Sequence, residues 1–151
     1  MSFFNSMNIS ASGLTAQRMR MDILSSNLAN VETTRTPEGG PFRRRTVIFE
    51  ERQPSGRGSF DAIFDRAMGR TPARGTGVRV HSIVEDPTPG PRVFDPGHPD
   101  ADAYGYVERP NVNIVAEMTN MISASRAYEA NITAMNVTRA MINRTLEIAG
   151  R

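Results

Sequence analysis

Cysteine, lysine and tryptophan are absent from the 151-residue chain. Without cysteine there is no disulfide, no thiolate metal site and no cysteine nucleophile, and the redox compartment stays open. Ile, Leu, Val and Phe together make up 31 of 151 residues. That is close to the level of about 20% at which a chain struggles to bury a core. A large compact core is therefore not expected, and part of the apolar surface has to find another chain. No window approaches 18 consecutive apolar residues, so no transmembrane helix is expected. The opening stretch MSFFNSMNISASG lacks a positive n-region and an apolar core, so no Sec-type signal is expected either.

Charge excludes less than it first suggests. The pI is about 9.6, yet the net charge at pH 7 is only +2. All 18 basic residues are arginine, which fits a codon bias, and almost nothing titrates between mildly acidic and alkaline pH. A nucleic-acid binder needs a real excess of positive charge on one face. The run Arg43-Arg44-Arg45 reads as a solvated strand start flanked by Glu50 and Glu51, so no nucleic-acid partner is expected.

What the chain has is an uneven distribution of helix breakers. All ten prolines fall between Pro37 and Pro110, and ten of the twelve glycines between Gly39 and Gly105. Proline breaks helices and glycine weakens them. The chain thus divides into an N-terminal helix and turn over 1–36, a loop-rich middle over 37–110 and a C-terminal helix over 111–151.

In the first part Met7, Leu14, Met21 and Leu28 recur every seven residues, with Leu24 and Val31 at the companion site and Ser10 and Gln17 interrupting it. In the last part Ile114, Met121, Tyr128, Met135, Ile142 and Ala149 hold one heptad site. Met118, Ile132 and Leu146 alternate with Ser125 and Arg139 at the other. Pro110, Asn111 and Asn113 supply stop and cap chemistry, with Glu117 in the first turn. Between the helices, Thr46–Glu50, Val78–Val84, Arg92–Phe94 and Tyr104–Val107 read as short strands. The segment 53–77 reads as a variable insertion. It carries one small helical signal: Ser59 as cap, Phe60, Ile63, Phe64, Ala67 and Met68 on one face, and Gly69 as stop. The expected fold class is α+β: long terminal helices forming a coiled coil, with a small, loop-rich β domain between them.

Site chemistry is sparse. Asp95, His98, Asp100 and Asp102 fall within eight residues, a set that a metal-dependent hydrolase could use. No second histidine lies nearby, and Asp, Pro and Gly are ordinary turn formers. His81 reads as a strand residue. Gly75-Thr-Gly77 lacks the third glycine and the following helix of a dinucleotide fingerprint. No cofactor, metal or small-molecule substrate is expected, and no enzymatic activity. The amphipathic helices lack the cationic face of membrane-surface helices. Pairing them with each other would still leave apolar residues such as Ile122 and Val137 exposed, which implies partners.

Two stretches carry a resemblance beyond pattern. Ser25-Ser-Asn-Leu-Ala-Asn30 is similar to the SNLAN signature of bacterial flagellar axial proteins. Gly105–Ala134, GYVERPNVNIVAEMTNMISASRAYEANITA, strongly resembles the C-terminal motif of flagellar basal-body rod proteins. Asp95–Val107 is similar to the segment that precedes it in the proximal rod member of that family. The resemblance implies a structural subunit of the hollow rod that transmits torque from motor to hook. It implies export unfolded through the flagellar type III apparatus, assembly outside the inner membrane, and partners among its own copies and other rod proteins. The assembly interface it implies draws on Met7, Leu14, Met21, Leu24, Asn27, Leu28 and Asn30 of the first helix. From the last helix it draws on Met118, Met121, Ser125, Arg126, Tyr128, Ile132, Met135, Ile142 and Leu146. Asn27, Asn30, Ser125 and Arg126 are expected to fix register through hydrogen bonds between subunits, Arg126 by pairing with a carboxylate such as Glu117 or Glu129 of its own or a neighbouring chain.

Overall fold

The computed structural model describes residues 3–52, 64, 67, 68 and 77–150. In chain order the elements are α1 (Phe3–Ala29), β1 (Arg45–Glu51), β2 (Val78–Glu85), β3 (Arg92–Phe94), β4 (Tyr106–Glu108) and α2 (Ile114–Ala149). Among the described residues the fold is α+β, with long helices at the two ends and two small two-stranded sheets between them. The N-cap of α2 is the expected one: Ala116 N–H donates to Asn113 Oδ1 at 3.1 Å. Most of the insertion, with Ser59, Phe60, Ile63 and Gly69, lies outside the described residues. Within it Met68 N–H donates to Phe64 O at 2.9 Å, a helical turn whose Phe64 and Met68 side chains are exposed.

In the first sheet β1 pairs with β2. Arg52 N–H donates to Gly77 O at one end and Asp86 N–H to Arg44 O at the other, each at 2.8 Å, so the pairing is antiparallel. Val47, Phe49, Val78 and Val80 take the half-buried face, as a period of two requires. In the second sheet Arg92, Val93 and Phe94 pair antiparallel with Glu108, Val107 and Tyr106. Gly105, at φ +80°, closes that hairpin where a side chain would press on the Phe94 ring.

The chain forms two compact units. The first comprises residues 1–17, 49–81 and 127–151. There Ser12 Oγ donates to Ile9 O at 2.7 Å and accepts the Val78 N–H at 3.0 Å, which pins the start of β2 to α1. Gly77, at φ +126°, is needed at that contact, because a Cβ would overlap Ser12 Oγ. A Cβ on Gly13 would lie 2.9 Å from Asn131 Oδ1, so glycine lets α2 approach α1 closely. Ala16 and Thr138 are buried in this unit.

The second unit comprises residues 18–48 and 82–126 and contains Leu24, Phe42, Val107 and Ala124 as its buried apolar side chains. The Arg45 guanidinium stands 5.7 Å from the Phe42 ring centroid, over its face. Among the described residues, buried apolar side chains are few. On α2, by contrast, Val115, Met118, Ile122, Val137, Met141, Leu146 and Ile148 are all about half exposed or more.

Candidate assembly site

The second unit is organised around a buried polar node. Asn27 of α1 and Glu117 of α2 are both fully buried and joined by an Asn27 Nδ2 to Glu117 Oε2 bond of 2.9 Å. Asn27 also pairs with the backbone of Arg45 as a neighbouring strand would. Its Nδ2 donates to Arg45 O at 2.8 Å, and its Oδ1 accepts Arg45 N–H at 2.9 Å. Arg44 N–H donates to Asn111 Oδ1 at 2.8 Å, while Arg44 O accepts from Asp86. All four backbone groups of Arg44-Arg45 are thus held by residues from three other segments. Asn111 Nδ2 ties the node to Thr88 O at 2.9 Å.

The charge balance rests on Arg44, whose Nε donates to Glu117 Oε1 at 2.7 Å. A buried carboxylate is tolerated only when paired and hydrogen-bonded. Here both oxygens receive a donor, one neutral and one cationic. The sequence read Arg44 as part of a solvated strand start and Glu117 as a first-turn acid. The structure instead pairs them, Glu117 fully buried and Arg44 half-buried, so Glu117 is taken by Arg44. The available signal was position: Glu117 shares a helix face with Met121 and Ala124.

On α1 the expected stripe faces inward. Met7, Leu14, Met21 and Leu28 are half-buried, as are Ser10, Gln17 and Val31, and Leu24 is buried. Asn30 Nδ2 donates to Ser26 O at 2.9 Å and its Oδ1 accepts from Thr33, closing the turn after the helix. On α2, Met121, Ser125, Tyr128, Met135 and Ile142 are half-buried, whereas Met118, Ile132 and Leu146 are exposed, as is Arg126. The inner column lies one position earlier, at Glu117, Ala124, Asn131 and Thr138. It is small and polar, which leaves the larger apolar residues outside.

One loop and one strand hold shifted carboxylates. Asp102 Oδ1 accepts Tyr106 N–H at 2.9 Å and Tyr104 N–H at 2.8 Å. The Tyr106 bond above all, with that of Tyr104 and the nearby Arg92 charge, holds its pKa below the ordinary carboxylate value. On the first sheet Glu50 is held low chiefly by the hydrogen bond and charge of Arg79, with His81 also contributing.

Residues 7–35 match the Flagella basal body rod protein family, and residues 103–148 match the C-terminal region of the flagellar basal body rod FlgEFG proteins. The chain is 48% identical to the flagellar basal-body rod protein FlgC of Borreliella burgdorferi, with 98% of each chain covered. It is 46% identical to FlgC of Bacillus subtilis, over 98% of this chain and 99% of that one. It is 39% identical to FlgC of Salmonella typhimurium, over 98% of each. The chain belongs to the FlgC family of flagellar basal-body rod proteins. It is a structural subunit of the rod.

The two segments that match the rod families, 7–35 and 103–148, are the two that meet at Asn27 and Glu117. The hydrolase alternative finds no support in the geometry of this FlgC-family chain. Asp100 Oδ2 accepts from Thr34 Oγ1 at 2.8 Å, and Asp100 N–H donates to His98 Nδ1 at 3.1 Å. Asp102 is engaged by Tyr104 and Tyr106. Among the described residues no group of three or more His, Asp or Glu side chains could hold a metal ion. The loop is a built turn whose polar groups bond one another. Among the same residues no helix is long and apolar enough to cross a membrane.

Proposed function

We propose that the chain is a non-enzymatic subunit of the proximal rod, the section of the drive shaft that passes torque from motor to hook. Its partners are its own copies and other rod proteins. It passes unfolded through the flagellar type III export apparatus and assembles outside the inner membrane, on the periplasmic side. The terminal helices pair as a coiled coil, and residues 37–110 form the domain outside them. Met7, Leu14, Met21, Leu24 and Leu28 join the helices within the subunit. Met118, Ile132 and Leu146 meet neighbouring subunits.

The pairing is supported by one contact between the helices in each unit. Gly13 of α1 meets Asn131 of α2 in the first unit, and Asn27 meets Glu117 in the second. The observation that carries the assembly reading is the apolar surface left on α2, where Val115 is 73% and Ile148 75% exposed. Surface of this kind marks an interaction site. A charge placed there costs little in the free subunit and much once a neighbour covers it. In cells lacking the native copy, Ile132→Asp should therefore abolish swimming and rod assembly while export of the chain continues. Arg57→Ala in the insertion should be silent. Equal motility from both variants would contradict the reading.

A further inference from the structure

The second unit holds a cleft of about 510 Å³ between the turn that follows α1, the 99–102 loop and the β3–β4 ribbon. Its size falls in the range of ligand sites, about 300–1,000 Å³. The ladder decides which side chains of the ribbon share a face. Arg92 stands opposite Glu108, Val93 opposite Val107 and Phe94 opposite Tyr106. With a period of two, Arg92, Phe94, Tyr106 and Glu108 share one face and the two valines the other. Val107 is buried, so the first face points outward. There Phe94 is 63% and Tyr106 45% exposed, and their rings meet edge to face with centroids 5.3 Å apart. Such a contact leaves ring surface free for a further partner. Tyr106 and Glu108 both line the cleft.

The charged side chains of the cleft have opposite charges at hand, with one exception. Arg35 lies 3.7 Å from Asp100 Oδ1. Asp102 accepts two backbone N–H groups and has the Arg92 charge nearby. Glu108 is the exception. It is half-buried, and its carboxylate forms no hydrogen bond or ion pair among the described residues. Arg92, opposite it in the ladder, forms no ion pair with it.

We propose that this face receives an arginine side chain of another protein, its guanidinium stacked on the Tyr106 ring and paired with the Glu108 carboxylate. Charge selects the occupant. A neutral apolar group would cover the rings but leave Glu108 without a partner, at a cost in desolvation. An anion would meet Asp100, Asp102 and Glu108 together. Shape then selects among cations. Tyr106 and Glu108 are two residues apart on one strand, about 7 Å along it. A planar guanidinium can lie on the ring and still turn its N–H groups to the carboxylate, whereas an ammonium is a compact point charge. The site lies wholly within the second unit, on strands and not on the terminal helices. It stands whether or not the chain is a rod subunit.

The test titrates the isotope-labelled full-length chain with acetyl-Gly-Arg-Gly-amide and follows its backbone amide signals by NMR. The peptides with lysine or neutral citrulline in place of arginine serve as comparisons. The amides of Arg92, Phe94, Tyr106 and Glu108 should shift together. The arginine peptide should bind about tenfold more tightly than the citrulline peptide, and more tightly than the lysine peptide, as expected for a charge pair on an aromatic face. That comparison needs no variant. Glu108→Gln, which keeps shape and removes charge, should weaken the arginine peptide by about the same factor. Tyr106→Leu should weaken it too, while Tyr106→Phe, which keeps the ring, and Glu147→Gln, at the end of α2, should bind it as the parent does. Equal affinity for arginine and citrulline overturns the site, as does unchanged affinity in a Glu108→Gln chain whose other signals match the parent. Self-association of the chain that Glu108→Gln abolishes would make the occupant a second copy and overturns the assignment to another protein.

Discussion

Asn27 and Glu117, ninety residues apart in sequence, are both fully buried and hydrogen-bonded at 2.9 Å. The bond joins the last two turns of α1 to the first turn of α2, and Arg44 brings the root of β1 to the same point. The node therefore closes only when the N-terminal helix, the middle segment and the C-terminal helix are all in place. Its geometry sets sharp requirements on each side chain.

Glu117 must be a carboxylate. Its two oxygens meet two donors, Asn27 Nδ2 and Arg44 Nε. In Glu117→Gln the amide nitrogen would face one of those donors, so a change that keeps shape still leaves a buried clash of like groups. The expected loss is about 3 kcal/mol or more, since breaking a buried pair strands its partner. Arg44→Met with Glu117→Met should recover most of that loss. Urea unfolding of the three proteins decides it, and a Glu117→Gln variant as stable as the parent would sink the argument.

Asn27 must be an amide. It presents its NH2 to Arg45 O and Glu117, and its oxygen to Arg45 N–H. Asn27→Asp would set a carboxylate against a carbonyl and a buried carboxylate. It should destabilise the fold more than Asn27→Ala, which removes the group at a cost of about 1–3 kcal/mol. Melting temperatures ordered the other way round would show that the amide's donors do not matter here.

Gln17 offers a test in the opposite direction. Its Oε1 is buried with no hydrogen-bond partner among the described residues, at a position where the heptad calls for an apolar side chain. Gln17→Leu removes the orphaned oxygen and should raise stability by about 1 kcal/mol. A lower denaturation midpoint would mean that the amide has a role the subunit does not display.

Acid should weaken the fold through two surface carboxylates. Asp102 and Glu50 are held below their ordinary carboxylate values, Asp102 mainly by Tyr106 N–H and Glu50 mainly by Arg79. A carboxyl with a depressed folded pKa contributes stability that is present above its unfolded value, about 4, and is lost as pH falls through the folded value. Stability should therefore drop as pH falls below about 4. Asp102→Asn should flatten that acid limb. An identical slope of unfolding free energy against pH in parent and variant would remove Asp102 from the account.

Much of this fold was legible in the residues. The absence of proline from both ends marked α1 and α2 to within a residue or two. The alternation around Val78 and Val80 marked β2, and β3 falls on Arg92–Phe94 as expected. The inner face of α1 also followed from its heptads. The inner column of α2 did not, for a physical reason. Apolar residues lie on both faces of that helix, so hydrophobicity alone favoured Met118, Ile132 and Leu146 over the smaller Ala124, Asn131 and Thr138. A buried glutamate is invisible to such a pattern until its arginine is known. Arg44 lies 73 residues away, in a run that composition makes look solvated.

The central claim is that this chain is a structural part of the rod, and imaging of basal bodies tests it most directly. The gene for this chain is deleted in its own organism, and basal bodies are isolated from the deletion strain and from a strain carrying a tagged copy. The account predicts that the deletion leaves rings without a completed rod or hook. It predicts that the tag lies on the rod close to the inner-membrane ring. Complete rods and hooks in the deletion strain, or a tag located away from the rod, would contradict it.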